Sequence, residues 1–205
     1  MPSARPLPRP ALGLIAALLL SACASGRELR EEREELGDFF LSHAIVVADN
    51  AVVGPASRRA EPGQWEESLT AEMRRRFSRY DGDTLYHLGV SVDGYVLAMP
   101  GIPVVAAPRS ALILGVTLWN DAEGGVVNER PHRITVLESL SGETVVSSGL
   151  TQTAEQQMQN LSENAVAAIE RWLADNPDWF PPKGTGAALA EAASDAAMED
   201  GADPS

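Results

Sequence analysis

The alternation of apolar and polar residues over positions 86–97 constrains the fold more than any other feature of this sequence. Apolar residues fall on one face of the pattern and polar or small residues on the other: Tyr86, Leu88, Val90 and Val92 against His87, Gly89, Ser91 and Asp93. Successive side chains of a β-strand point to opposite sides, so this segment is predicted to be a strand. Gly94 marks a change of phase, where we expect a β-bulge.

Four further segments are predicted to be strands. Residues 44–53 are apolar and rich in β-branched side chains, and residues 111–119 alternate with Leu112 and Leu114 on one face. Residues 134–138 and 144–148 flank Ser141-Gly142, a pattern typical of a hairpin.

Two segments carry the spacing of amphipathic helices. Residues 64–80 follow Pro62-Gly63 and place an apolar side chain at every fourth position, at Trp65, Leu69, Met73 and Phe77. The second helix is predicted to begin behind Thr153, since Thr153 and Gln156 form a capping-box pattern. Asn176-Pro177 is expected to end it.

The predicted order of elements is therefore β-α-β-β-β-β-α. The four later strands follow one another through short connections, so they are expected to pair antiparallel. The apolar stripes of the helices and the apolar face of the sheet must cover each other. We predict an α+β fold with two layers, in which a mainly antiparallel sheet of about five strands is packed by two helices.

Composition excludes several classes of function. The 205 residues include 16 Lys and Arg against 29 Asp and Glu, for a net charge of −13, and this argues against a nucleic-acid partner. The single cysteine excludes an intramolecular disulfide and a cysteine-based zinc site. His43, His87 and His132 lack metal-ligand spacing, although two of them could meet in space. No catalytic set is visible, and we predict no cofactor, no metal and no enzymatic activity.

The first 23 residues have the organisation of an export signal. Arg5 and Arg9 precede an apolar run over residues 11–20. That run is too short to span a bilayer, which needs about 20 apolar residues, but it fits the hydrophobic region of a signal peptide. It ends in Leu20-Ser21-Ala22-Cys23, which places the only cysteine behind two small residues.

Leu20-Ser21-Ala22-Cys23 resembles the lipobox of bacterial lipoproteins. The resemblance implies cleavage after Ala22 and acylation of Cys23, including palmitate, so that the chain is anchored in membrane lipid. It also implies the periplasmic face of the outer membrane in a Gram-negative host, because Ala24 rather than Asp follows the cysteine. The alternative is an ordinary secreted protein with a chance cysteine near its cleavage site.

The rest of the chain divides into three parts. Residues 23–37 comprise the lipidated cysteine and a tether of mixed charge, which is either a spacer above the membrane or a frayed segment without a role. Residues 38–180 hold the predicted periplasmic α+β domain. Residues 181–205 are rich in Ala, Gly and acidic residues, and we predict a disordered acidic tail.

The element order behind a lipobox is similar to that of several families of small periplasmic lipoproteins. These are the auxiliary lipoproteins of ABC-type lipid transporters and the CsgG-like and LpoB-like lipoproteins. The resemblance rests on element order, and it implies no functional residue.

Two segments are candidates for partner contact. Arg74, Arg75, Arg76 and Arg79 form a basic cluster late in the first predicted helix, where the helix dipole alone would also favour cations. Residues 99–108 are apolar with three prolines and therefore predict a surface loop. Its residues Ile102, Val104 and Val105 either contact a partner or fold back over the sheet edge.

These features predict a lipid-anchored, non-catalytic adaptor or accessory lipoprotein of a cell-envelope complex, with an envelope protein as partner. One alternative is a periplasmic carrier of lipid or small molecules, with a pocket between helix and sheet that Trp65, Phe77 and Trp172 leave unfilled. An envelope enzyme is the second alternative.

Overall fold

Strands and helices alternate along the chain much as the patterns predict. The computed structural model describes residues 32–99, 110–138 and 153–185. Its elements are β1 (Phe40–Val47), β2 (Val52–Val53), α1 (Pro62–Phe77), β3 (Leu85–Val96), β4 (Ala111–Asn120), β5 (Gly125–Val126), β6 (His132–Leu137), α2 (Ala154–Ala174) and a 3-10 turn (Pro177–Trp179). The fold is α+β, with a mixed, mostly antiparallel sheet and two helices.

The sheet is built around β3 and β4, which pair antiparallel along most of their lengths. β6 continues the sheet antiparallel beyond β4, and β5 pairs with the end of β4. β1 lies on the other side of β3 and runs parallel to it, with α1 in the crossover between them. The predicted strand over residues 44–53 is wrong in extent, because a turn at 48–51 separates β1 from the short β2.

Two irregularities adjust the register of β3 with its neighbours. The bulge predicted at Gly94 is confirmed, since the pairing of β3 with β4 shifts between Val92 and Gly94. A second shift, which we did not predict, lies between Leu41 and His43 in β1. It leaves Ser42 without a partner in the register and brings His43 directly opposite His87.

The helix ends follow local rules. Glu61 precedes α1 and donates its backbone N–H to Gln64 Oε1 at 2.9 Å, while Pro62 starts the helix, where a missing N–H costs nothing. The predicted capping box of α2 is confirmed: Thr153 Oγ1 accepts from the Gln156 N–H at 3.2 Å. Its partner bond runs from the Thr153 N–H to Gln156 Oε1 at 2.9 Å.

Both helices pack on the same face of the sheet. The core between the layers contains the predicted stripes, with Trp65, Leu69 and Met73 of α1 at zero exposure. Residues Leu161, Ala165 and Ile169 of α2 are likewise fully buried, and they meet the inward side chains of β3 and β4. The alternation over residues 86–92 therefore decides which face of β3 lies under the helices. The second half of the hairpin predicted over 134–148 lies outside the described residues.

The two ends of the domain are joined at Asp38, which is fully buried. Its N–H donates to Pro181 O at 2.8 Å. Its carboxylate accepts from the Asp83 N–H at 2.6 Å and from Thr84 Oγ1 at 3.0 Å. Leu36, just ahead, is 1% exposed, so the packed core includes residues on the N-terminal side of Asp38.

Because of Tyr86, the stability of the folded protein is expected to depend on pH in the alkaline range. Burial, followed by the negative charges of Glu123 and Asp38, raises the pKa of Tyr86 to about 12. A free tyrosine ionises near pH 10, so the stabilisation is complete below about pH 10 and is lost as the pH rises through about 12. We expect the free energy of unfolding to fall by about 2 kcal/mol across this window.

Urea denaturation at a series of pH values measures this effect, with Tyr86→Phe as the comparison. The variant loses the hydrogen bond from Tyr86 Oη to Trp179 O, which is 2.9 Å long. Its stability should therefore be lower at neutral pH but flatter between pH 10 and 12. A fall of the same size in both proteins would contradict the assignment to Tyr86.

Within the described ranges, no helix is both long and apolar enough to cross a membrane.

Candidate functional site

The basic cluster of α1 is held largely by carboxylates of the same domain. Glu170 of α2 is fully buried and lies between two of the arginines. Arg76 Nε donates to Glu170 Oε2 at 2.6 Å, and Arg79 donates to Glu170 Oε1 at 2.8 Å. Tyr80 Oη donates to the same Oε1 at 2.6 Å. These contacts join the end of α1 to α2 and supply a structural role for both arginines.

The other two arginines of the cluster differ in their surroundings. Arg75 Nε donates to both oxygens of the buried Glu72 at 3.0 and 3.1 Å. Arg74 is exposed. Contacts with Glu170 of α2 therefore account for Arg76 and Arg79, whereas Arg74 and Arg75 are exposed and Arg75 pairs with Glu72 of its own helix.

The remaining predicted site residues lie outside the described residues. These are Ala22 and Cys23 at the lipobox, and Ile102, Val104 and Val105 of the apolar loop. Their predicted roles stay predictions.

The aromatic side chains that the carrier hypothesis depends on belong to the packed core. Trp65 is fully buried, its ring centre 5.2 Å from that of Tyr95. Phe77 is 2% exposed and lies 5.9 Å from Phe39. Trp172 is 9% exposed. Such packing is the arrangement expected of a filled core rather than of a ligand pocket.

The face of the sheet opposite the helices is the strongest candidate for a functional surface. We call it the outer face and define it by the outward side chains of β1, β3 and β4. Its large apolar members are Phe40, Ile45, Val47, Leu85 and Trp119, with exposed fractions of 41, 66, 50, 40 and 40%. They are neighbours because the register aligns Phe40 with Leu85, and His43 with His87 and Trp119.

Glycine flattens the centre of the outer face. Ile45 lies opposite Gly89, and Val47 opposite Ser91, which in turn pairs with Gly115. Because Gly89 has no side chain, β3 does not cover the flank of Ile45. Several large apolar side chains exposed on one face of a sheet are typical of protein contact sites.

Sequence reasoning missed the outer face because each of its residues is unremarkable in isolation. The signal was present in β1, whose residues 44–47 are all apolar instead of alternating. A strand with apolar side chains on both sides is normally covered on both sides. We interpreted the run only as evidence for a strand, and its cross-strand neighbours became known only with the register.

Two of the three histidines meet on the outer face. His43 Nδ1 lies 3.3 Å from His87 Nδ1, and the ring centres are 5.2 Å apart. His87 Nε2 lies 3.1 Å from Asp121 Oδ1. A carboxylate accepts hydrogen bonds and does not donate them, so His87 carries its proton on Nε2 and leaves Nδ1 facing His43. The third histidine, His132, stacks on Trp172 at 4.6 Å on the opposite side of the sheet.

The polar groups around this histidine pair do not have the connectivity of a catalytic triad. Ser42 Oγ lies 2.9 Å from His43 Nδ1, whereas Asp121 contacts the other ring. In a triad the same imidazole links the serine to the carboxylate. In the part of the chain that the structure describes, no group of three His, Cys, Asp or Glu is placed to hold a metal ion.

The sequence matches no protein-family model. It likewise matches no curated protein sequence.

Several solved structures of bacterial proteins resemble this chain. A Xanthomonas campestris protein is 15% identical, with 66% of this chain and 81% of that chain covered and a TM-score of 0.38. PelC of Paraburkholderia phytofirmans, solved as a dodecamer, is 9% identical over 67% of this chain and 89% of its own, with a TM-score of 0.35. A minor lipoprotein of Acinetobacter baumannii is 17% identical, with 69% of this chain and 97% of that chain covered and a TM-score of 0.26. The chain thus resembles bacterial proteins that include a lipoprotein, at low identity.

Proposed function

We propose that this protein is a lipid-anchored accessory lipoprotein of the bacterial cell envelope, which binds an envelope protein through its outer face and performs no catalysis. The observation that carries the proposal is the set of large apolar side chains exposed on the outer face: Phe40, Ile45 and Val47 of β1, Leu85 of β3 and Trp119 of β4. Ile45 is 66% exposed although it lies in the middle of a strand. Burial of such side chains contributes roughly 25 cal/mol per Å² of apolar surface, so a partner that covers them gains affinity.

The proposed anchor is the acylated Cys23 at the periplasmic face of the outer membrane. One buried methylene contributes about 0.8 kcal/mol, so two or three acyl chains hold a protein at a membrane where one does not. The tether over residues 23–37 would then keep the domain close enough to the membrane to meet membrane-bound partners.

Two observations support an accessory role over an enzymatic one. Ser42, the histidine pair and Asp121 lie on an open strand surface, where nothing in the described residues excludes water. Catalysis by charged groups depends on such exclusion. Of the arginines in the basic cluster, Arg76 and Arg79 hold α1 against α2 through Glu170, and Arg75 pairs with Glu72 of its own helix.

Site-specific photocrosslinking in cells tests the partner surface. A photoreactive residue is placed at Ile45 on the outer face or at Glu67, which is exposed on α1. We expect position 45 to give one defined protein adduct, identified by mass spectrometry, and position 67 to give none. Equal adducts from both positions, or none from position 45, would reject the outer face as the binding surface.

The anchor is tested by Cys23→Ser, with Ser25→Ala as a control that leaves the lipobox intact. We expect Cys23→Ser to move the protein from the membrane fraction to the soluble fraction, because it removes the acyl acceptor. Ser25→Ala should stay with the membranes. If Cys23→Ser also stays there, the lipid anchor is wrong.

The same fractionation locates the membrane. Ala24→Asp is expected to shift the protein from the outer to the inner membrane in a Gram-negative host, as the lipoprotein resemblance implies. An unchanged distribution between the two membranes would contradict the outer-membrane assignment.

A further inference from the structure

The histidine pair of the outer face has the geometry of two metal ligands. In a tetrahedral zinc site the nitrogens lie 2.0–2.1 Å from the metal, so two ligand nitrogens are separated by about 3.3–3.4 Å. The Nδ1 atoms of His43 and His87 are 3.3 Å apart. We propose that His43 and His87 bind a divalent transition-metal ion, such as Zn²⁺, through their Nδ1 atoms.

Asp121 supports this proposal by the way it holds His87. Histidines that ligate metals commonly donate their other ring N–H to a carboxylate, which sets the tautomer and the ring orientation. His87 Nε2 donates to Asp121 Oδ1 at 3.1 Å, so its Nδ1 lone pair is directed toward His43 Nδ1, and a metal bound between the two rings would replace the 3.3 Å contact between these nitrogens. Asp121 is itself placed by its backbone, since its N–H donates to Leu85 O at 3.1 Å.

The fold brings the two ligands together through the bulge in β1. Leu41 pairs with Tyr86 and His43 with His87, so Ser42 is the extra residue. In a regular strand Ser42 would pair with His87 and His43 would lie on the other face of the sheet, because side chains alternate. The pairing of the two histidines is therefore a product of register and could not be read from their spacing in the sequence.

The site supplies two protein ligands and is open to solvent. His43 is exposed, and the side chain of His87 is 26% exposed. Water or a group of the envelope partner would occupy the remaining positions of the metal. Imidazole nitrogens suit Zn²⁺, Cu²⁺ and Ni²⁺, whereas Mg²⁺ and Ca²⁺ prefer oxygen. The proposal does not depend on the partner, because it rests on the geometry of this chain alone.

Isothermal titration of the full chain with Zn²⁺ tests the proposal. All proteins carry Cys23→Ser so that its thiol cannot contribute a ligand. We expect one Zn²⁺ per chain, and His43→Gln or His87→Gln should weaken binding more than tenfold. His132→Gln is the matched control, since His132 stacks on Trp172 away from the pair. It should bind Zn²⁺ like the parent chain.

Asp121→Asn distinguishes a positioned site from chance affinity of surface histidines. Loss of an outer-shell carboxylate typically weakens metal binding 10–100-fold. We expect a loss in that range, together with metal-dependent shifts of the His43 and His87 ring nitrogens in NMR spectra of the parent chain.

Three results would overturn the proposal. One is no Zn²⁺ binding by the parent chain at up to about 1 mM. Another is equal binding by the parent chain, His43→Gln and His87→Gln. The third is ring-nitrogen shifts at His132 instead of the pair. Because both ligands lie at the surface, the variants should keep the thermal stability of the parent chain, and a thermal melt checks this. None of these outcomes depends on whether the outer face binds a protein.

Discussion

Replacing Glu170 with Gln is expected to destabilise the folded protein by about 3–5 kcal/mol. Glu170 is fully buried, and the Arg76 side chain that it neutralises is 9% exposed. Removal of the negative charge takes the Glu170 carboxylate from Arg76 and Arg79, and the cost is largest at Arg76, which is nearly shielded from water. The free energy of unfolding from urea titration measures the loss, which corresponds to a fall of about 10 °C in the midpoint of thermal unfolding.

Two controls make this result specific. Lys183→Gln removes the ion pair with Asp81, whose side chains are 58% and 76% exposed, and it should cost less than about 0.5 kcal/mol. Glu170→Gln combined with Arg76→Gln should be less damaging than Glu170→Gln alone, because a buried pair costs most when one charge is left behind. If Glu170→Gln costs less than about 1 kcal/mol, the ion pairs do not hold the helices together as described.

Asp38→Ala is expected to cost about 3 kcal/mol, since the variant leaves the Asp83 N–H and the Thr84 hydroxyl without their acceptor. Both groups donate to the buried Asp38 carboxylate. Asp38 lies just before β1, and Asp83 and Thr84 lie just before β3. The contact therefore holds the start of β1 to the turn that leads into β3. Urea titration measures the change, and hydrogen exchange of the Asp83 amide should accelerate at the same time.

Asp83→Ala is the matched control for Asp38→Ala. Asp83 meets Asp38 through its backbone N–H, and its own side chain is exposed. We therefore expect a change within about 0.5 kcal/mol. Equal losses in the two variants would show that the turn itself, rather than the buried carboxylate, is responsible.

Local patterns predicted most of the fold because the forces behind them are local. The stripe from Trp65 to Phe77 faces the core, and the capping box at Thr153 starts α2. The bulge at Gly94 lies where the phase changes. Each of these depends on residues a few positions apart, so the printed sequence contains the information. The strand at 44–53 failed in extent because an apolar composition does not show where a turn interrupts it.

The candidate sites depended on contacts between distant parts of the chain. Arg76 and Arg79 of the basic cluster were candidates for partner contact, but both pair with the buried Glu170, which lies 94 and 91 positions further along the chain. The spacing of His43 and His87 gave no metal signal, yet they are neighbours across two parallel strands. Contacts between residues that are far apart in the sequence produce no periodic pattern. The sequence therefore predicted neither the Glu170 ion pairs nor the contact between His43 and His87.

The sequence by itself determined the two helices and the longer described strands in their order, the buried face of β3, the capping box of α2 and, through Leu20-Ser21-Ala22-Cys23, the predicted route to the membrane. These follow from backbone geometry and from the alternation or period of side chains. Only the tertiary structure decided that apolar side chains are exposed on the outer face, that Arg76 and Arg79 pair with Glu170 of α2 and that two histidines meet. The ion pairs depend on how the two helices pack, and the outer face and the histidine pair depend on strand register, where one extra residue, Ser42, changes which side chains share a face.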